Sequence, residues 1–210
     1  MNVVSSAARG FSGAAASGAV PRLIAHEAAR LFAARGYDAT PVREIAQAAG
    51  VTKPTLYYHF GSKEGLAQAV LIQPLTRLVA ALDQVLETEA DSTAATVRMA
   101  ERMFAHCCED PDRSRFLHSL FFGPRSSALA LELDRHAGEI ERVWFAVGRR
   151  LAASNVIDPE RADAFIVNLR GVIVIHTMLF LYRGVPLDPK LPGQLVDDLL
   201  RGFRRRRSSS

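Results

Sequence analysis

Along most of this chain the apolar residues recur every three or four positions, the spacing that collects them on one side of a helix. Between residues 21 and 35 they are Leu23, Ile24, Ala28, Leu31 and Phe32, with Gly36 as the stop. Ile45, Ala46 and Ala49 make a shorter stripe, and Val51 and Leu56 carry it across a turn. This predicts two short helices, 42–49 and 52–59, joined by Gly50 and Val51. Thr40 is expected to cap the first with its hydroxyl and Pro41 to occupy its first position, where no N–H is lost. Gly50 is expected to end it in the left-handed region and Thr52 to cap the second.

Longer helical patterns follow. One runs over 63–88 with Ser62 as its cap and Pro74 inside, where a kink or a split is expected. Asp91 and Ser92 open the next, which ends near Cys108, and a shorter one follows Pro111 until Gly123 and Pro124 break it. Ser126 and Ser127 open a long helix to residue 153, Asp158 to Glu160 cap another that Gly184 closes, and Pro192 begins the last. Alternating strand patterns are missing, and the β-branched run 172–175 lies within a helical segment. The fold class predicted is all-α: a three-helix head carrying a helix-turn-helix, and a larger helical body.

The second short helix keeps Lys53, Thr55, Tyr57, Tyr58 and His59 outward. These are hydrogen-bond donors and flat rings, suited to phosphates and base edges. Two helices and a glycine turn also serve purely structural ends. The wider stretch decides between these readings: GVTKPTLYYHFGSKEGL, preceded by LFAARGYDATPVREIA, resembles the DNA-binding head of the TetR family of bacterial transcription regulators. The resemblance runs from about residue 20 to 71, with many positions agreeing in one register; beyond it only length and helix content are similar. It implies a cytoplasmic homodimer that binds a palindromic operator in double-stranded DNA, usually as a repressor released when a small molecule fills the body. By motif position Lys53, Thr55 and Tyr57 become candidates for reading base edges, and Thr40, Arg43, Thr52, Tyr58, His59 and Lys63 for phosphate contacts.

Charge agrees with that division. Residues 20–63 hold six Lys and Arg against three Asp and Glu, whereas residues 64–200 hold 14 against 19. A basic head approaches a polyanion while an acidic body is repelled from it. Residues 1–19, rich in Ala, Gly and Ser, are expected to be a disordered arm, with 20–66 the head (motif 41–60) and 67–206 the sensing and dimerising body. Arg9 is a candidate minor-groove contact in the arm, and the run 204–207 reads as a solvated tail.

Segment 162–182 is the most apolar, but Asp163, Asn168, Arg170 and His176 interrupt it, so a buried helix is expected and no membrane contact. In the resembling family the last two helices pair with their copies in a four-helix bundle, which makes Gly171, Ile175, Met178, Leu199 and Phe203 candidates for the dimer interface. Phe104, Phe116, Phe121, Phe122, Trp144 and Phe145 crowd the middle of the body. Of the residues there, Phe104, Phe121, Trp144, Asn168 and His176 are the candidates for lining an effector cavity, and an apolar or amphipathic ligand is expected. His106, Cys107, Cys108 and His118 lack the spacing of a metal site. His118, His136 and His176 have no nucleophile or carboxylate at a catalytic spacing, so neither enzyme activity nor a cofactor is implied. The remaining alternatives are a DNA-binding regulator whose body serves as a protein-interaction surface without a ligand, and an enzyme with a structural helix-turn-helix.

Overall fold

The computed structural model describes residues 13–122 and 128–203; the expectations placed on residues 1–12, 123–127 and 204–207 lie outside the described residues. Within them are nine α-helices, a single 3-10 turn and no strand.

α1 (Gly13–Arg35) begins earlier than expected, so residues 13–19 are helical where the sequence suggested an arm. Three consecutive alanines, Ala14 to Ala16, are the best helix formers. Pro21 inside the helix removes one internal bond and leaves the rest in place. Ile24, Ala28, Leu31 and Phe32 are buried, but Leu23 is 46% exposed. Position 23 shares its side with Glu27 and Arg30, which pair at 2.8 Å, and that side is turned away from the core.

α2 (Val42–Ala48) and α3 (Lys53–Phe60) are the two short helices. Gly50 sits at φ +63°, and Val51 N–H closes the turn on Ala46 O at 2.9 Å. Thr52 caps α3 through Thr55 N–H, whereas α2 has no side-chain cap. Thr40 is fully buried, and its hydroxyl donates backwards to Gly36 O at 2.8 Å. It locks the end of α1 instead of capping α2, because the hydroxyl turns back to the carbonyls that close α1.

α4 (Lys63–Thr88) opens with Ser62 Oγ accepting from Gly65 N–H at 3.0 Å. It runs through Pro74 as one helix, so the proline does not split it. Leu71, Ile72, Leu75 and Leu78 are buried around that point and hold both halves against their neighbours. The far end is closed by Arg150, whose guanidinium donates to the carbonyls of Leu86, Glu89 and Ala90.

The body continues with α5 (Ser92–Glu109), α6 (Pro111–Phe121), α7 (Ala128–Ala153), α8 (Ala162–Arg183) and α9 (Leu191–Phe203). Asp91 and Asp110 cap α5 and α6 through Ala94 N–H and Arg113 N–H. α4 packs on α7, α5 and α1; α1 also packs on α6, α7 on α8, and α9 on α5 and α8. Lys63–Thr88 and Pro159–Arg183 are both long and apolar enough to cross a membrane. Here α4 is built into the core, while α8 buries one side and leaves another apolar side open.

Candidate nucleic-acid interface and effector cavity

Only Leu56 of α3 is buried, packed into the head core with Ile45, Ala46 and Ala49. That anchor turns Lys53, Tyr57 and Tyr58 to solvent, with Tyr58 86% exposed, and leaves Thr55 and His59 half-buried at the margins. Arg43 on α2 is exposed as well. Thr52 and Thr55 share a 2.9 Å hydroxyl contact at the start of α3, where the positive end of the helix dipole favours an anion. Thr40 is removed from the candidate set, since neither its hydroxyl nor its surface is free.

Lys63 is not idle at the start of α4. Its Nζ lies 4.4 Å from the Tyr37 ring centre and 3.4 Å from Asp38 O. Tyr37 O–H donates to Glu64 at 3.2 Å, and burial with the nearby Glu64 charge pushes the phenol well above its ordinary range. Lys63, Tyr37 and Glu64 thus tie the loop after α1 to the start of α4. The turn from α3 into α4 is equally tight: a Cβ at Gly65 would lie 2.1 Å from Phe60 O. Tyr37 was missed because the link spans 27 positions and carries no local signal.

In the body an apolar cavity of about 130 Å³ is lined by Leu75 of α4, Met103 of α5, Leu117, His118 and Phe121 of α6, and Phe122. Leu133, Ala137, Ile140 and Trp144 of α7 and Arg170, Ile173 and Val174 of α8 complete it. Of the sequence candidates, Phe121 and Trp144 are there. Phe104 is buried away from the cavity, beside a groove formed with Leu187 and Pro192. Asn168 is exposed and donates to Ala164 O, and His176 is outside the lining. At 100° per residue, positions 170, 173 and 174 share the cavity side of α8, and 168 and 176 point well away from it. Periodicity separates the sides of such a helix without saying which one faces the hollow.

Three of the lining residues carry polar groups. Nδ1 of His118 is 2.7 Å from Ser114 O, a carbonyl, so Nδ1 carries the proton and donates; burial lowers the imidazole pKa and keeps the ring neutral. Arg170 donates to Glu141 at 3.2 Å. Trp144 is fully buried and its indole N–H has no acceptor.

The open side of α8 carries Val167, Gly171, Ile175, Leu179 and Tyr182, with Ile175 59% exposed and Met178 half-buried nearby. On α9, Val196 and Leu200 are buried and Leu199 is half-buried. Phe203, expected at a dimer interface, packs instead within its own subunit: its ring meets Phe165 edge-on at 5.6 Å and carries the Arg161 guanidinium at 4.2 Å. The last turn of α9 folds against the start of α8, which the sequence alone does not reveal.

A capped two-helix reader in front of a helical body with an apolar cavity defines the class, a helix-turn-helix DNA-binding transcription regulator. The chain belongs to the TetR family: the profile described as "Bacterial regulatory proteins, tetR family" matches residues 24–70. The HTH-type transcriptional activator FasR of Mycolicibacterium smegmatis is 42% identical over 161 residues, covering 77% of this chain and 72% of that protein. The HTH-type transcriptional repressor KstR2 of the same organism is 46% identical over 61 residues, 29% of this chain and 30% of that one. Among solved structures, the TetR family regulator PfmR from Thermus thermophilus superposes with a TM-score of 0.70 at 28% identity, over 87% of this chain and 99% of that chain.

Proposed function

We propose that the chain is a ligand-responsive transcription regulator acting as a cytoplasmic homodimer, with residues 20–66 reading a palindromic operator and the rest sensing a small apolar or amphipathic molecule. Lys53, Thr55 and Tyr57 read base edges, and Arg43, Thr52, Tyr58, His59 and Lys63 hold phosphates. Val167, Gly171, Ile175, Met178 and Leu179 meet their copies across a two-fold axis. Ligand entry weakens operator binding, which makes the protein a repressor released by its effector.

The observation that carries this reading is the path of α4. The helix starts at Lys63, capped by Ser62 directly after the reader, and lines the cavity with Leu75. Filling the cavity therefore acts on the element that holds the reader. The test is selection of bound duplexes from random DNA, followed by calorimetric titration of candidate effectors with and without the selected operator. Recovery of a palindrome whose affinity falls when the cavity is filled supports the reading; equal ligand affinity in both titrations removes the sensing half, since coupling between two ligands is reciprocal.

A second reading is favoured by the similarity to FasR, which is named an activator. The same reader and cavity then recruit transcription where the repressor blocks it. Transcription in vitro from a promoter carrying the selected operator separates the two by its sign.

A further inference from the structure

A second hollow, an open groove of about 410 Å³, follows the seam between head and body. It takes Arg22, Ala25 and His26 from α1, and Phe60 from the end of the reader helix α3. Val70, Gln73, Pro74 and Arg77 of α4 and Arg113 of α6 line it from the body. At 100° per residue, positions 70, 73, 74 and 77 make one stripe of α4, and Leu75, which lines the apolar cavity, points about 150° away from it. The groove and the cavity therefore lie on different sides of the same helix.

Three arginines line the groove against two carboxylates, Glu109 and Asp110. Glu109 meets Arg113 at 2.9 Å, and Asp110 accepts Arg113 N–H as the cap of α6. Arg22 and Arg77 are exposed, and among the described residues neither makes a hydrogen bond or an ion pair. They come from different elements to one opening, and each carries a planar fork of donors that fits a carboxylate or a phosphate. Beside them Val70 and Pro74 are buried, and Ala25 and Phe60 are half-buried, so the same groove offers apolar surface.

We propose that this seam is a second ligand site, which takes an organic anion: a carboxylate or phosphate head between Arg22 and Arg77, on a compact apolar body lying against Val70, Pro74 and Phe60. The bound anion ties the helix that braces the reader to the helix that carries it into the body. The inference is independent of the apolar cavity and of the effector assigned to it.

The full chain is titrated with phenyl phosphate, benzoate, benzyl alcohol and inorganic phosphate, and binding is followed through its backbone amide resonances. Phenyl phosphate and benzoate are expected to move the amides of Ala25, Gln73 and Arg77, while those of Met103, Leu133 and Val174 at the apolar cavity stay in place. The tighter of the two identifies the head group, and it should bind at least about tenfold more tightly than benzyl alcohol, which keeps the ring and lacks the charge. Inorganic phosphate, without an apolar body, should bind more weakly than phenyl phosphate. Both arginines are exposed, so the double variant Arg22→Gln, Arg77→Gln should fold, and its margin over benzyl alcohol should fall to within about twofold. The amide shifts of the unaltered chain decide the location even where that variant is destabilised. The proposal is overturned if neither organic anion moves the groove amides, if benzyl alcohol or inorganic phosphate matches them, or if a folded double variant keeps the margin. It is overturned as well if the double variant flattens the salt dependence of duplex binding, which would make the two arginines DNA contacts.

Discussion

The ring of Phe32 on α1 lies 4.9 Å from that of Phe116 on α6, tilted by 37°, and both side chains are fully buried. Residues 117 and 118, next along α6, line the cavity. The stack is therefore a second connection between the hollow and the helix that braces the reader, independent of α4. Removing a buried aromatic forfeits its transfer energy and leaves a void, so Phe116→Ala should lower stability by about 3–5 kcal/mol in urea unfolding. Phe116→Leu should keep the fold, and ligand should then reduce operator affinity by a smaller factor than in the wild type.

Gly65→Ala and Gly138→Ala should have opposite signs. The added methyl at 65 collides with Phe60 O, a backbone atom that cannot move without shifting α3 against α4. Operator binding should collapse and the melting temperature fall. At 138, on an exposed side of α7, nothing lies within 4 Å of the added methyl, and the helix should gain up to about 1 kcal/mol.

Lys53 and Arg43 should separate specificity from affinity. Lys53→Ala is expected to change which sequences are selected, because its side chain is exposed at the first turn of the reader. Arg43→Ala should weaken all duplexes alike and flatten the salt dependence by about one unit. Equal effects of the two on sequence preference would reverse these assignments. Lys63→Ala carries a further consequence, since it also removes the cation lying over Tyr37.

Ile175→Asp should give a monomer in sedimentation without loss of helix content. The residue contributes to an apolar side of α8 that its own subunit leaves open, and a charge buried in an interface is unfavourable by several kcal/mol. Phe203→Asp is expected to behave differently, destabilising the subunit itself through loss of the Phe165 and Arg161 contacts. A dimer that survives Ile175→Asp would place the interface elsewhere.

Acid should destabilise the fold through His106. Burial, reinforced by the Arg113 guanidinium, holds its pKa down to about 4 from 6.5. Between those values the unfolded chain binds the proton and the folded chain resists it. The stability is therefore present above pH 6.5 and lost as pH falls toward 4, by roughly 2–3 kcal/mol for this group. Burial moves His118 in the same direction. His106→Gln should flatten urea midpoints measured from pH 7 to 4, and an unchanged slope would show that other groups carry the effect.

Local signals made the helices legible: Asp91 caps α5 where its position suggests, and Gly36, Gly50 and Gly184 take positive φ where helices end, whereas Asp158 caps only the 3-10 turn Pro159–Arg161 and α8 begins after it without a side-chain cap. The exposed face of α3 was legible for the same reason, because one buried leucine in a short helix determines what points outward. Thr40 misled because a threonine ahead of a helix reads as a cap whether its hydroxyl turns forward or back. Residues that meet only through packing were not legible. His118 and Arg170 reach the cavity, and Phe203 its own core, because helices distant in sequence cross there, and no spacing along the chain encodes a crossing.

Pro74 has a mechanical consequence. Lacking an N–H, it leaves α4 without one internal bond one residue before Leu75, which touches the cavity. A helix rising about 1.5 Å per residue places this fulcrum about 18 Å from Ser62 at the reader's edge. A tilt of about 10° there swings the near end of the lever by roughly 3 Å. The rise between successive base pairs is about 3.4 Å, so a deflection that small at the cavity moves each reader by nearly one step along the duplex, and in a symmetric pair the two displacements compound.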